Sequence, residues 1–558
     1  MPGIWKQRTL MQPAPDPKSL FAPFSHPTFR YIWLASVASN LGSMIQNVGA
    51  AWMMTSISAS ESMVALVQAS TTLPVMLFAL LAGAIADGFD RRRVILSAQA
   101  FMFTVSVLLA IVAISGLITP WLLLAFTFLI GCGNALNNPS WQASVGDMVP
   151  RSDLPGAVTL NSVGFNITRS LGPAIGGTIV AIGGGAAAFT VNAFSYLGLL
   201  TVVYRWKFRR PESPLPREKM TTAIGAGLRY VVMSPNILKV LLRAFIFGLA
   251  SVSVLALLPV VARDVIAGGP QTFGIMLGAF GIGAIGGAFA NAHARARLSN
   301  EAIVAVSFLI FAASAVAIGL STSLVLDCLA LLFAGACWVL TLSLFNTVVQ
   351  LTTPRWVVGR ALSLYQTASF GGMALGSWLW GQVAENYSIT LAFVAAAGVM
   401  ALGAAIGLFL KMPALESLNL DPLNRFQTPE TKVDMLARSG PIVVETRFII
   451  SPDDTEEFLR LMIERRRIRK RDGARKWALM RDIADPEVWI ETYHAPTWVD
   501  YVRHNQRRTV ADAENLDRIR ELHRGEGRPE VRRMIERQAI PPRDEVFNRP
   551  YHMHHQHH

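Results

Sequence analysis

Polar side chains recur at helical spacing inside the apolar runs of this sequence. Between residues 31 and 54, Ser36, Asn40, Ser43 and Asn47 follow one another at steps of four, three and four. In an α-helix such steps bring side chains onto one face. A face of amides and hydroxyls is costly against lipid hydrocarbon and useful against water or a polar ligand. The spacing therefore indicates a helical bundle with a polar stripe that a substrate could contact.

Similar polar groups lie in four further apolar runs, two in each half of the first 411 residues. A wet central cavity is the first hypothesis, and hydrogen bonding between helices, worth about 0.6 kcal/mol per pair, is the alternative. Arg169 could pair with an anionic substrate or with a polar partner near Asp147. The candidate cavity residues are Asn40, Asn47, Asn134, Asn138, Arg169, Asn346, Tyr365 and Gln366.

Charge divides the 558-residue chain into two parts. Residues 1–411 hold 24 Lys and Arg with 12 Asp and Glu, whereas residues 412–558 hold 26 and 25. A soluble surface cannot be built with charge as sparse as in the first part, so that part is predicted to be a membrane domain and the rest soluble. Because the excess positive charge lies in the membrane part, where topogenic Lys and Arg belong, no nucleic-acid partner is predicted. Cys132, Cys328 and Cys337 lie in apolar runs and offer no disulfide framework.

Twelve apolar runs are long enough to cross a bilayer, which takes about 20 residues. The connections alternate between basic and nearly base-free, so the positive-inside rule places both termini in the cytoplasm. We expect no removable signal peptide in residues 1–30. The predicted spans are 31–54, 62–86, 94–116, 119–144, 156–182, 186–205, 237–262, 270–292, 302–320, 323–347, 359–384 and 388–410.

The two halves of the membrane part repeat each other at an offset of 204 residues. Arg91 matches Arg295, Gly131 matches Gly335 and Pro150 matches Pro354, all at this offset. Six spans separate the copies, so both halves have the same orientation. The sequence therefore predicts two parallel six-helix repeats, an arrangement in which transporters bind substrate between the halves.

The loop after the second span, from Gly83 through Asp87 to Arg91, Arg92 and Arg93, resembles the cytoplasmic signature of the major facilitator superfamily. Gly88 and Asp90 depart from that pattern. A carboxylate at Asp87 can cap the positive end of a neighbouring helix, and the arginines can bind lipid headgroups or the opposite half. We expect Gly83, Asp87, Arg91 and Arg92 to gate the cytoplasmic mouth; the alternative is that the arginines are only topogenic.

The stretch from Asn138 to Leu197 resembles the transmembrane secretion effector branch, which includes the enterobactin exporter and is similar to macrolide efflux pumps. Within it, Gly172, Pro173, Gly176 and Gly177 allow close approach and bending of helices. The resemblance implies a hinge or a contact between halves there, and plain packing is the alternative. It also implies proton antiport, although no Asp or Glu lies mid-span; Glu61 and Asp327, at the outer ends, are the candidates.

The soluble part follows a linker with Pro413, Pro422 and Pro429. Its pattern predicts a strand over 442–450, a helix over 452–471, strands over 475–482 and 488–494, and a helix over 497–524. This order resembles the ferredoxin-like domains of antibiotic-biosynthesis monooxygenases, which pair as dimers. A fourth strand is not evident. His494, His504 and the His-rich end of the chain are interpreted as structural or solvated groups.

The leading hypothesis is a non-enzymatic secondary exporter of siderophore-like or drug-like molecules, embedded in a bacterial inner membrane. No cofactor and no metal site are predicted, and no nucleotide-binding loop is present. Two alternatives concern the soluble domain, which could oxidise the exported substrate or serve as a regulatory or homodimerising module. The predicted organisation is 1–30 N-terminal segment, 31–205 first half, 206–236 connecting loop, 237–411 second half, 412–440 linker, 441–535 α+β domain and 536–558 His-rich tail.

Overall fold

A computed structural model describes residues 21–150, 153–206, 220–354, 356–412, 420, 423, 426 and 428–536. Side chains at 87, 88, 143, 146, 155, 166 and 220 are not described. The predictions for the Asp87 side chain, for residues 1–20, for residues 207–219 of the connecting loop and for the His-rich tail after residue 536 therefore lie outside the described residues.

The chain forms two compact units. The helical unit comprises residues 1–220, 239–346 and 363–412, and the sheet unit comprises 221–238, 347–362 and 413–558. Among the described residues, twelve α-helices precede the first strand: α1 Pro27–Ile57, α2 Glu61–Gly88, α3 Arg91–Ile114, α4 Pro120–Met148, α5 Leu154–Arg205, α6 Met220–Val232, α7 Pro235–Val260, α8 Pro270–Arg297, α9 Asn300–Leu320, α10 Leu324–Leu351, α11 Val358–Asn386 and α12 Ile389–Phe409.

Nine helices within the described residues are long and apolar enough to cross a membrane. The long helix α5 breaks at Gly184, whose positive φ of 70° favours a residue without a Cβ atom. The predicted turn between the fifth and sixth spans lies at this glycine. The helices α1 and α11, of 31 and 29 residues, are not among the nine. The count of twelve spans stays a prediction.

Side-chain caps fix where several helices begin. Ser60, Asp90, Thr119, Ser299 and Ser388 each accept a hydrogen bond from a backbone N–H in the first turn of the following helix. Such caps satisfy donors that have no intrahelical partner and are worth about 1 kcal/mol each. These caps place the first residues of α2, α3, α4, α9 and α12 within a few residues of the predicted starts.

Small residues let the membrane helices approach closely. A Cβ atom at Gly283 of α8 would overlap the carbonyl of Leu332 in α10, and one at Gly335 would overlap the carbonyl of Phe280. Helices in lipid associate through such close contacts, because the surrounding hydrocarbon is as apolar as the helix surface and the hydrophobic effect does not drive the helices together. The second half is therefore held by backbone-to-backbone packing.

A buried ion pair, which the sequence analysis missed, also stabilises the second half. Arg243 of α7 is fully buried, and its Nη1 donates to both carboxylate oxygens of Glu301 at 2.7 Å. Glu301 Oε2 also accepts a hydrogen bond from the backbone N–H of Met412, at 2.9 Å. The pair thus joins α7, the start of α9 and the chain after α12.

The sheet unit contains a four-stranded antiparallel sheet in the order β2-β3-β1-β4. Three predicted strands are confirmed, and a fourth, β4, is present where none was evident. The predicted helix over 497–524 is two helices, because Thr509 and Asp512 form a capping box that starts a new one. The elements are β1 Ile442–Ile449, α13 Thr455–Asp472, β2 Arg475–Arg481, β3 Val488–Ala495, α14 Trp498–Gln506, α15 Val510–Glu521 and β4 Glu530–Ile535.

One face of this sheet is buried and includes an ionic cluster. Glu491 of β3 accepts hydrogen bonds from Arg465 at 2.8 Å, from Arg469 at 3.2 Å and from Trp477 at 3.0 Å. Burial alone would raise the pKa of Glu491, but the two arginines lower it to about 2. The carboxylate is therefore charged at neutral pH and fixes α13 on the sheet.

Candidate functional site

A polar cavity of about 600 Å³ lies within the first half. Side chains from α1, α3, α4 and both arms of α5 line it, each from the part of its helix nearer the basic loops. The lining residues are Ser36, Ser39, Asn40, Ser43, Gln99, Met102, Asn134, Asn137, Asn138, Trp141, Gln142, Val145, Val158, Asn161, Ser162, Phe165, Tyr196 and Leu199. Three of the predicted cavity residues, Asn40, Asn134 and Asn138, are thus brought together.

Few of the lining amides bond to one another. Gln99 Nε2 donates to Asn137 Oδ1 at 3.3 Å, and Trp141 Nε1 donates to Asn161 Oδ1 at 3.4 Å. Gln99 is buried, and its Oε1 has no hydrogen-bond partner among the described residues. Asn40, Asn134 and Asn138 make no hydrogen bond to a described residue, so the cavity wall keeps hydrogen-bonding capacity that water or a ligand can use.

A second polar cluster in the same half has its hydrogen bonds satisfied internally. Gln46 Oε1 accepts from Ser106 Oγ at 3.1 Å and from Asn192 Nδ2 at 2.5 Å, and Asn192 Nδ2 lies 3.3 Å from the Tyr196 hydroxyl. These side chains tie α1, α3 and the second arm of α5 together. Interhelical hydrogen bonding and cavity lining, the two hypotheses for the polar stripes, thus both occur in this half, and Tyr196, Gln99 and Asn137 take part in both.

The other predicted cavity residues are not among the side chains that line this cavity. Asn47 is exposed farther along α1, and Arg169 lies over the rings of Phe280 and Trp338 at 5.7 and 6.0 Å. Tyr365 is buried and donates to the carbonyl of Leu342 at 3.1 Å. Asn346 and Gln366 lie in α10 and α11 of the second half, both partly buried.

At the basic-loop end, Arg91 and Arg92 contact the first half itself. Arg91 Nη1 pairs with Asp147 Oδ2 at 2.8 Å, and Arg92 donates to the backbone carbonyls of Val203 and Tyr204. Gly83 lies against the second half, since a Cβ there would be 2.9 Å from the Ser363 hydroxyl. Gly83 is therefore at a contact between halves, whereas these arginine contacts join elements within one half.

The opposite end carries polar contacts between the halves that the sequence analysis did not single out. Arg263, just after α7, donates to the carbonyl of Thr55 at the end of α1 at 2.8 Å. Glu385 of α11 accepts hydrogen bonds from Ser60 Oγ at 2.8 Å and from the Ser62 N–H at 3.1 Å. These contacts join the halves at the end away from the basic loops.

The glycine-rich stretch of α5 contacts both halves. Gly172 and Gly176 pack against α1, while a Cβ at Gly177 would lie 2.8 Å from the carbonyl of Pro270 and 2.9 Å from Gly274 Cα in α8. Pro173 lies inside the helix, and its carbonyl lies 2.8 Å from where a Cβ at Gly274 would be. The chain backbones of the two halves meet here without intervening side chains.

Replacing Gly177 by Leu is expected to reduce both stability and transport, because the contacted atoms are backbone and cannot move aside. Overpacking of this kind costs about 1–3 kcal/mol. Gly198→Leu, on the same helix but with nothing within 4 Å of its Cβ position, is the matched control. Melting curves of the purified variants test this, and equal melting temperatures would refute a tight α5–α8 contact.

The histidines of the sheet unit have structural surroundings. His504 is buried, its Nε2 lies 3.0 Å from Arg469 Nη1, and burial lowers its pKa well below the usual value. His494 lies near the end of the inner strand β3, and its Nδ1 is 3.6 Å from Glu536 Oε2. No group of three or more potential metal ligands occurs in the part of the chain that the structure describes.

Curated relatives of this chain are membrane transporters. The Staphyloferrin A transporter of Staphylococcus aureus is 24% identical over 46% of this chain and 64% of its own length, just under two thirds. The Multidrug efflux pump Tap of Mycolicibacterium fortuitum is 24% identical over 70% of this chain and 96% of its own. The Enterobactin exporter EntS of Salmonella typhi is 27% identical over 73% and 95%.

A solved structure and a family model cover most of the chain. The POT family transporter PepTSo matches with a TM-score of 0.57 and 14% identity over 69% of this chain and 97% of its own, which supports the fold alone. The family model described as transmembrane secretion effector matches residues 18–540. The chain therefore belongs to the transmembrane secretion effector family, the branch of major facilitator superfamily transporters that its loop and glycine motifs resemble.

Proposed function

We propose that this chain exports siderophore-like or drug-like small molecules from the cytoplasm by alternating access of its two halves. The observation that carries the proposal is the amide-lined cavity in the first half, in which Asn40, Asn134 and Asn138 make no hydrogen bond to a described residue. The relatives named for staphyloferrin A, enterobactin and multidrug efflux support a small-molecule cargo. The chain is a multi-pass inner-membrane transporter, and we propose that both termini lie in the cytoplasm because the basic loops share one side.

A deletion strain tests this function without knowledge of the cargo. Cells lacking the chain should accumulate at least one small molecule that complemented cells release into the medium, as measured by mass spectrometry of cell extracts and supernatants. Deletion cells that contain less of every affected compound would indicate import. Identical extracts and supernatants would refute export.

We propose that the cytoplasmic gate involves Gly83, Asp87, Arg91 and Arg92. The proximity of Gly83 to Ser363 of the second half supports this role. Arg91 and Arg92 support it indirectly, since they hold the loop against Asp147 and the end of α5. Asp87 belongs to the proposal by its position in the motif, between Gly83 near the end of α2 and Arg91 at the start of α3.

For energy coupling we propose proton antiport, with Asp327 as the group that carries the proton. Asp327 lies in the first turn of α10, is fully buried, and has no hydrogen-bond partner for either oxygen among the described residues. An acidic side chain buried in a membrane-spanning helix is a functional candidate by default, because lipid cannot satisfy its polar atoms and a proton is a species that it can bind and release. Glu61 is more exposed and lies near Arg263.

The sheet unit is proposed to be a ferredoxin-like docking module rather than an enzyme. Its strand and helix order, with the sheet order β2-β3-β1-β4, supports that fold. Within this unit Tyr230 of α6 lies between Arg471, 5.1 Å from its ring, and Trp356, whose ring contacts it edge-on at 5.6 Å. Arg507 lies 4.1 Å from the Trp356 ring. A homodimer through the open sheet face remains part of the proposal.

Trp356→Ala is expected to weaken the packing of α6 within the sheet unit, because it removes the ring that both Tyr230 and Arg507 contact. Aromatic and cation–π contacts of this kind are worth about 1–2 kcal/mol, so amide hydrogen exchange in α6 should accelerate about tenfold. Trp378→Ala, an exposed tryptophan of α11, is the control and should leave α6 unchanged. Unchanged exchange in the Trp356 variant would refute docking through this stack.

A further inference from the structure

The cavity wall has a composition that selects among cargo types. Its polar side chains are amides and hydroxyls, and none of the lining residues in the described part of the chain is charged. Moving an ion from water into such a site without a counter-charge costs several kcal/mol. A cargo whose charged group entered this cavity would have no partner there.

The Gln99–Asn137 pair supplies a specific recognition element. Gln99 is 3% exposed, and its Oε1 is a buried acceptor without a donor, which costs about 1–3 kcal/mol while it stays unpaired. Asn137 uses its Oδ1 to accept from Gln99, so its own Nδ2 donors remain available. Because Gln99 Oε1 is itself buried, the group that the pair presents to the cavity is the Nδ2 of Asn137, a donor complementary to a hydroxyl or an amide carbonyl oxygen.

Aromatic side chains provide the apolar part of the same wall. Phe165 is 46% exposed at the cavity, and Trp141 has its indole N–H engaged by Asn161, which leaves its ring as a contact surface. The volume of about 600 Å³ lies within the range of drug-sized ligand sites. Arg169, the cation that would favour an anionic cargo, lies instead over Phe280 and Trp338.

We propose that the cavity binds an uncharged small molecule that carries several hydroxyl or amide groups beside an apolar or aromatic portion. This inference rests on the proposed export function and adds the chemical class of the cargo. Asn137, positioned by its hydrogen bond from Gln99, recognises one of its polar groups, and Trp141 and Phe165 contact its apolar part.

The test separates the compounds that accumulate in the deletion strain into neutral, anionic and cationic fractions by ion exchange at pH 7. The compound whose release depends on the chain should be in the neutral fraction, and Gln99→Leu or Asn137→Leu should lower its release at least tenfold. Thr104→Val, an exposed position on the same helix as Gln99, is the control that should release it normally. Size-exclusion profiles of the variants show whether each is folded.

Two results would overturn the proposal. One is a chain-dependent compound in a charged fraction, above all an anion whose release is lost in Arg169→Met cells and retained in Gln99→Leu cells. The other is normal release of a neutral compound by folded Gln99→Leu and Asn137→Leu variants. If no fraction depends on the chain, the export function itself has failed, which is a different outcome from the wrong cargo class.

Discussion

Glu301→Ala is expected to lower the melting temperature of the purified protein by about 5 °C or more. The change leaves the fully buried guanidinium of Arg243 without a counter-charge, and its Nε and Nη2 already lack partners among the described residues. Removing one member of a buried ion pair typically costs about 3–5 kcal/mol. A loss of about 1 kcal/mol in the free energy of unfolding lowers the melting temperature of a protein of moderate size by about 2–4 °C, which gives a shift of this size.

The double variant Arg243→Met with Glu301→Gln provides the control. It removes both charges and fills the site with side chains of similar volume, so most of the lost stability should return. If the double variant melts as low as Glu301→Ala, volume and hydrogen bonds to Met412 matter more than charge. A single variant with an unchanged melting temperature would contradict the role assigned to the pair.

Asn138→Leu and Asn192→Leu are expected to have opposite effects. Asn138 lines the cavity and has no hydrogen bond to a described residue, so leucine should leave the melting temperature unchanged or raise it. Export should fall about tenfold, because a polar group of the cargo would lie unpaired against the new side chain, at about 1–3 kcal/mol.

Asn192 serves as the matched comparison, an asparagine of the same half with a structural role. It is fully buried and contacts Gln46, Ser106 and Tyr196. Leucine there should destabilise the protein by about 1–3 kcal/mol, with any loss of export following the loss of folded protein. Equal effects on stability at the two positions would refute the distinction between cavity and packing amides.

The membrane fold could be predicted from the sequence because a helix that crosses lipid needs a long apolar run and keeps its polar side chains away from the hydrocarbon. Polar stripes at steps of three and four residues identified Asn40, Asn134 and Asn138, which share one cavity. The same stripe included Asn47, which the structure places elsewhere. Helical spacing predicts which side chains share one face of a helix. How far along the helix a cavity extends depends on the side chains of neighbouring helices, which the spacing does not reveal.

Three features were missed for different physical reasons. Arg243 is a single cation within an apolar run, and its partner Glu301 lies 58 residues away. Strand β4, with the sequence Glu530–Ile535, is a largely exposed edge strand without apolar alternation. Helix α6 lies in a segment predicted as a loop, although Ala223, Ala226 and Tyr230 form a buried face at helical spacing. Only the last carried a signal that a closer analysis of periodicity could have detected.

The central claim, that the amide-lined cavity of the first half is the route of export, is tested most directly by thiol labelling at position 138. Asn138→Cys would be introduced after replacement of Cys132, Cys328 and Cys337, and export measured before and after a bulky, water-soluble thiol reagent. Ser115→Cys, at the exposed end of α3 outside the span, serves as the reference. We expect rapid labelling at position 138 and loss of export on labelling, with labelled Ser115→Cys still active. Slow labelling at position 138, or full export by the labelled protein, would contradict the central claim.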